Sequence, residues 1–378
     1  MMRVLIFSLA YHPVVGGAEV AIKEITDRIP DIEFDMVTMR FDKAHPKFER
    51  IGNVNVYRIG GGLGYLSKIL FITDAAAFAV SMHKKRRYGL FWAMMTYMTF
   101  PVVIARMLGN RTPYAITLQD GDPFEHVFNR PFIKPFKPLL FSGFKNASVI
   151  QTISNFLADW ANRLGYKGKP EVIPNGVDTK LFQQEVSKTE GEVLRESLGF
   201  ISTDKILITT SRLVEKNGIG DVIESLKYLP ENVKFLILGT GPLDASLKEK
   251  ARALDVGERV KFLGYIEHKE MPKYLKVSDI FIRPSLSEGM GNSFIEAMAA
   301  GIPVIATPVG GIPDFLTDGE TGVFARMRDP ESIAEQVKRL IDDKVLYQKL
   351  SENGRRLVIE KYDWDLIAEE MKSRVFVP

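Results

Sequence analysis

Residues 280–306 read IFIRPSLSEGMGNSFIEAMAAGIPVIA, and the order of residue types predicts a strand, a tight turn, a helix and a second strand. Ile280 to Arg283 is a short apolar run of the kind that fills a parallel sheet. Its end delivers Glu288, after which Gly289 and Gly291 let the backbone approach a ligand closely. A run of small residues then opens a helix whose free amides would face that ligand. Glu296 stands eight residues after Glu288, within the first turns of the helix, where a carboxylate reaches a ribose diol. The bland alternative is that both carboxylates only partner the helix dipole. Pro303 to Ala306 returns as a strand, completing a unit of a doubly wound α/β sheet.

The same rhythm runs outward in both directions. In the first half the candidate strands are Val4 to Leu9, Phe34 to Met39, Val54 to Ile59, Leu90 to Met95, Tyr114 to Leu118 and Ser148 to Thr152. In the second half they are Ile206 to Thr210, Lys234 to Leu238, Val260 to Leu263, Ile280 to Arg283 and Pro303 to Ala306. With 378 residues, about twice an ordinary domain, two domains follow. A turn cluster at Pro174 to Asp178 and the polar Gln183 to Glu192 mark the boundary, so residues 1–178 and 179–361 are read as the two domains. Residues 362–378 are read as a last helix that returns to the first domain.

Composition removes several classes. A content of 46% hydrophobic and 26% charged residues is that of a globular chain and not a disordered one. Zero cysteines exclude disulfides, thiolate metal sites and a cysteine nucleophile. The histidines, at 12, 45, 83, 126 and 268, never come at zinc-helix spacing. There is no P-loop and no repeat of fixed period. The N-terminus shows no secretory pattern, so a cytoplasmic protein is expected, peripheral on the inner face of the cell membrane if its acceptor is membrane-borne. The uncharged stretch Tyr88 to Ala105 is long enough to raise the question of a membrane span. Pro101 and its polar residues instead divide it into a strand and a helix.

Two further strand ends carry polar loops. Gly16-Gly17-Ala18-Glu19 sits where the first strand turns into a helix, a geometry suited to a phosphate or a sugar, or needing glycine only for its bend. Thr209 to Gly218 carries Arg212 and Lys216, which together can neutralise a diphosphate. Charge is uneven: residues 50–150 hold 13 basic and 4 acidic side chains, a net of +9. They include Lys84 to Arg87 and the basic Arg130, Lys134, Lys137 and Lys145 interleaved with Phe128, Phe132, Phe136 and Phe141. Such a face is either a solvated domain surface or one that meets an anionic membrane. No motif supports nucleic acid.

With these residues in view, the chain resembles glycosyltransferase family 4, the retaining, nucleotide-sugar-dependent enzymes of the GT-B fold, with two facing Rossmann-like domains. The two glutamates followed by Ala-Met-Ala-Ala-Gly-Ile-Pro-Val-Ile carry the likeness. Ile173 to Asp178, Gly239 to Leu243 and Phe262 to Tyr265 fall at matching stations. The resemblance implies a donor, UDP- or GDP-linked, held by the second domain. In it Arg212 and Lys216 would take the diphosphate, while Glu288 with the amides of Gly289, Met290, Gly291 and Asn292 takes the sugar. Glu296 would take the ribose, and Tyr265 and Ile266 would lie near the base. The acceptor, a sugar or a lipid-linked molecule, would meet the first domain near Gly16 and Gly17. Where many relatives carry a histidine near the donor sugar this chain has Gln119-Asp120-Gly121-Asp122, which puts a general base there in doubt; Gln119 can still donate to a sugar hydroxyl and Asp120 or Asp122 could act as a base. No cofactor and no metal are expected, because two cations face the leaving diphosphate and no Asp-x-Asp stands in a donor-binding context. A sugar-nucleotide epimerase of this fold, a non-catalytic nucleotide-sugar binder and a dehydrogenase are the rival readings. The last lacks Gly-x-Gly-x-x-Gly.

Overall fold

Residues 2–61, 64–131 and 133–377 are described by the structure, a computed structural model. The chain forms two units, one of residues up to Asn175 together with those from Trp364 onward, the other of Gly176–Asp363. The first contains β1 (Met2–Phe7), β2 (Ile32–Met39), β3 (Phe48–Ile51), β4 (Val54–Ile59), β5 (Leu90–Met94), β6 (Tyr114–Leu118), β7 (Val149–Thr152) and β8 (Glu171–Val172). They form one sheet in the order β3-β4-β2-β1-β5-β6-β7-β8, parallel but for the β3–β4 hairpin. Val4, Leu5, Ile6 and Phe7 are all fully buried. Successive side chains of a strand face opposite ways, so β1 is covered on both faces, as its unbroken apolar run requires.

The second unit contains β9 (Lys205–Thr210), β10 (Val233–Leu238), β11 (Val260–Gly264), β12 (Ile280–Arg283), β13 (Val304–Ala306) and β14 (Val323–Phe324). Their order is β11-β10-β9-β12-β13-β14, parallel throughout. All eleven strands expected from the sequence are present. The three unexpected ones lie at sheet edges, where a strand has one partner and its pattern is weak. β3 had a local signal, the Gly52-Asn53 pair between two alternating segments, Phe48–Ile51 and Val54–Ile59. Gly52 has φ 56°, and the Asn53 amide donates to Thr26 O and Ile29 O at 3.0 Å.

The C-terminal helix Trp364–Met371 and the turn after it complete the core of the first unit. Trp364, Ile367, Met371 and Phe376 are buried there with Ile22, Ile25, Phe34 and Trp92, the Phe376 ring standing 5.0 Å from that of Trp92. Arg28 Nε anchors the helix to Asp365 at 2.6 Å. In the second unit the entering and leaving segments of chain lie side by side, Val177 N–H donating to Tyr362 O at 2.7 Å.

The stretch Tyr88 to Ala105 forms β5, a short 3-10 turn and the helix Thr99–Met107, and β5 is wholly buried. Among the described residues, the helix Tyr65–Arg86 is the one whose length and composition would suit a membrane: within Leu66–Arg86 an 18-residue window has mean hydropathy 1.3 with 28% of it buried. Lys84 to Arg87 end that helix just before β5 begins, at the amino edge of the sheet. Arg86 there is spent on Glu33 at 3.0 Å and on the buried Asp35 at 3.1 Å. Asp35 also accepts from Tyr88 Oη at 2.5 Å. Burying a carboxylate is costly unless its oxygens are paired, so Arg86 belongs to the fold and is no free surface cation. Phe128 is likewise buried, and Phe132 lies outside the described residues.

Candidate active site

In a parallel sheet every strand ends on the same edge, and loops from the two strands flanking a reversal of strand order diverge to leave a crevice. In the second sheet the order reverses between β9 and β12, so the Arg212–Lys216 loop and the Glu288 loop leave neighbouring strands. They are also docked on each other. Leu286 N–H donates to Lys216 O at 2.7 Å, and the Asn217 amide donates to Arg212 O at 2.6 Å. Gly218 has φ 68°, and a Cβ there would stand 2.1 Å from Pro284 O, so this approach needs glycine. Arg212 is exposed and Lys216 half-buried.

The Glu288 loop is organised around a residue that sequence reasoning did not single out. Arg283, at the end of β12, is 6% exposed. Its Nη2 donates to Glu288 Oε2 at 2.8 Å, its Nη1 donates to Ser293 Oγ at 2.7 Å, and its Cζ lies 4.3 Å from the centre of the Phe294 ring. Burial pushes the guanidinium below the usual arginine range, and the charges of Glu288 and Glu296 work against that shift. Gly289 N–H donates to Glu288 Oε1 at 3.2 Å. Met290 is buried with its side chain in the core, so that side chain is not available to a ligand. Gly291, at φ 94°, precedes the helix Asn292–Ala299, and Asn292 opens it.

Glu296, one turn further along that helix, accepts at 2.9 Å from His268 Nε2. The His268 ring packs edge-on against Phe182. His268 is the second residue that the sequence reading passed over, and nothing local marks it, since its partner is 28 residues away. Arg283 did leave a trace, a charge at the end of an otherwise apolar strand. Tyr265 is 75% exposed and Ile266 half-buried, both in the loop after β11 on the same edge.

The first-unit candidates lie at the carboxyl edge of the first sheet, whose order reverses between β1 and β5. Gly16 and Gly17 are exposed at the start of the helix Gly17–Asp27. The Gly16 N–H is already given to Glu19 Oε2 at 2.8 Å, and burial pushes the Glu19 carboxyl up against that bond. A carboxylate in this place disfavours the phosphate that the glycines suggested and leaves the sugar alternative. Gln119 pairs reciprocally with the Asn175 amide at 3.1 and 3.3 Å, so both ends of its amide are engaged. Asp120 is buried and accepts from Thr96 Oγ1 at 2.7 Å; burial pushes its carboxyl up. Asp122 lies 3.7 Å from Arg130.

The family model described as Glycosyltransferase Family 4 matches residues 15–181, and that described as Glycosyl transferases group 1 matches residues 191–357. The chain belongs to glycosyltransferase family 4. An uncharacterized glycosyltransferase of Methanocaldococcus jannaschii is 27% identical over 98% of this chain and 96% of its own length. A GDP-mannose-dependent monoacylated alpha-(1-6)-phosphatidylinositol monomannoside mannosyltransferase of Corynebacterium glutamicum is 31% identical over 54% of this chain and 55% of its own. An Anabaena protein crystallised in complex with UDP-glucose superposes with TM-score 0.81 at 22% identity, over 99% of both chains, and shows the shared GT-B fold. A glycosyltransferase must take charge from a leaving group and read sugar hydroxyls. Arg212 and Lys216 on one loop, and Glu288 and Glu296 on its neighbour, are side chains of those two kinds.

Proposed function

We propose that this glycosyltransferase moves a sugar from a nucleoside diphosphate sugar, UDP- or GDP-linked, to an acceptor hydroxyl, with retention of anomeric configuration and without a divalent metal. The observation that carries this reading is the docking of the Arg212–Lys216 loop on the Glu288 loop at the strand-order reversal, cations beside carboxylates on one sheet edge. As the bond between the anomeric carbon and the diphosphate oxygen breaks, negative charge grows on the diphosphate, where Arg212 and Lys216 meet it. Glu288 and Glu296 accept hydrogen bonds from the sugar and the ribose. The UDP-glucose complex of the Anabaena neighbour and the GDP-mannose dependence of the Corynebacterium relative support a donor of this class. Among the described residues no three histidine or acidic side chains gather as a metal site, and retention rests on the family. UDP or GDP at 100 times its dissociation constant is expected to stabilise the protein by about 2.7 kcal/mol, read as a rise in Tm in the presence of EDTA. A rise that requires added manganese would overturn the metal-free reading.

The acceptor is proposed to be membrane-borne, with the protein peripheral on the cytoplasmic face. The Corynebacterium relative acts on a phosphatidylinositol mannoside by its name, and the first unit carries an apolar stripe edged with lysine. The helix Tyr65–Arg86 follows β4, so its first turns stand at the carboxyl edge of the sheet. There Leu66 is 52% and Ile69 51% exposed, with Leu70 beside them and Lys68 among them. Phe136 and Phe141 are also exposed, near Lys134, Lys137 and Lys145. The membrane contact is therefore assigned to these residues. Lys84 to Arg87 lie at the other end of the helix, about 30 Å away at 1.5 Å per residue. In flotation with anionic phosphatidylglycerol vesicles at low salt, Leu66→Ser with Ile69→Ser is expected to abolish binding, and Lys84→Gln with Lys85→Gln to leave most of it. The opposite pattern would move the contact back to the basic run.

A further inference from the structure

Arg283 is the one charged side chain that β12 carries into the interior, at a strand end where leucine or valine would pack without penalty. Its two outer nitrogens hold two different elements: Nη2 holds Glu288 Oε2 in the loop at 2.8 Å, and Nη1 holds Ser293 Oγ at the start of the helix at 2.7 Å. The Phe294 ring, 4.3 Å from Cζ, covers one face of the guanidinium. A Cβ on Gly291 would stand 2.8 Å from Nη2, so the turn is bare where the guanidinium needs room. Lysine has one nitrogen and no plane; it keeps the charge without the two-armed grip.

We infer that Arg283 is a positioning residue for donor turnover, fixing the Glu288 carboxylate and the turn that bears it in one geometry before substrate arrives. This rests on the donor reading of Glu288 given above. Arg283 is too buried to touch the sugar itself and acts through Glu288. An aimed acceptor of this kind raises turnover because it needs no rearrangement when the sugar changes charge. A guanidinium that only glued the loop to the helix would affect stability and leave the kinetics of the folded fraction unchanged.

The test uses the full chain with UDP-glucose and GDP-mannose as donors, and measures kcat and KM, UDP and GDP affinity by calorimetry, and Tm. For Arg283→Lys the expectation is a folded protein with kcat lowered on the order of 100-fold and nucleoside diphosphate affinity within about threefold of wild type, because the diphosphate meets Arg212 and Lys216. In a Glu288→Gln background the same change is expected to cost less than about threefold further, since two residues acting as a unit are non-additive. Wild-type kcat in Arg283→Lys, multiplicative losses in the double variant, or diphosphate affinity falling in step with kcat would each overturn the inference. Arg283→Met is measured alongside; if it fails to fold, Arg283→Lys decides. A wild-type protein that binds neither UDP nor GDP and turns over neither sugar defeats the donor reading itself, a result distinct from an active wild type matched by Arg283→Lys.

Discussion

Glu288→Ala is expected to lower kcat by a factor on the order of 100 to 1,000 while UDP or GDP affinity stays within a few-fold. The reason is where its partner sits. In the proposed donor placement Glu288 would face the part of the donor that gains positive charge as the leaving group departs, so its contribution would grow between ground state and transition state and show in kcat. Glu296 is assigned to the ribose, which does not change during the reaction. Glu296→Ala is therefore expected to raise KM about tenfold and weaken the diphosphate in step, with kcat little changed, the mark of uniform binding. His268 Nε2 at 2.9 Å from Glu296 must yield or share that carboxylate when the ribose arrives. Steady-state kinetics and calorimetry with the nucleoside diphosphate read both outcomes. Equal losses in kcat and affinity from the two substitutions would sink the division of labour.

Arg212→Ala and Lys216→Ala are expected each to cut kcat/KM by about 100-fold and to weaken the nucleoside diphosphate as well, because in the proposed placement both would contact a group present before and after transfer. Arg212 is exposed, and the bonds that hold its loop run through the backbone carbonyls of residues 212 and 216. Removing the Arg212 side chain leaves those bonds in place, so for Arg212→Ala Tm is expected to move by no more than about 1–2 °C. Lys216→Arg is expected to keep more activity than Lys216→Ala, since a point charge near the diphosphate is the main requirement. A large fall in Tm with unchanged kinetics in the surviving folded protein would make these residues structural.

Most of the eleven expected strands were legible because a strand covered on both faces must be apolar along its length, while β4 showed by alternation and the edge strand β11 by its Val-x-Phe-Leu run, and these signatures are local. β3, β8 and β14 escaped because edge strands are short and half-paired, which leaves little pattern to read. The turn before the Asn292–Ala299 helix and the Arg212–Lys216 loop were legible as strand-end turns for a related reason. A left-handed backbone in close approach needs glycine, as at Gly291 and Gly218.

Charge partners were not legible. The basic run Lys84 to Arg87 reads as one surface patch, yet Arg86 is committed to Asp35, 51 positions earlier in the chain. Gln119 reads as a free amide and is held by Asn175, while Asp120 reads as a loop carboxylate and is buried on Thr96. The apolar helix Tyr65–Arg86 could not be told from a core helix until its exposed stripe was seen.

The sequence by itself determined the two parallel sheets, the order of their strands along the chain, the family and the loops proposed to carry its chemistry, because periodicity, glycine and residue type are properties of short segments. Only the tertiary structure decided the order of strands across each sheet and which side chains of the returning C-terminal helix enter the first core. It alone decided that Arg283 and His268 hold the two glutamates. Those outcomes depend on which distant groups must satisfy a buried charge or cover an apolar face, and that is settled only when the whole chain has packed.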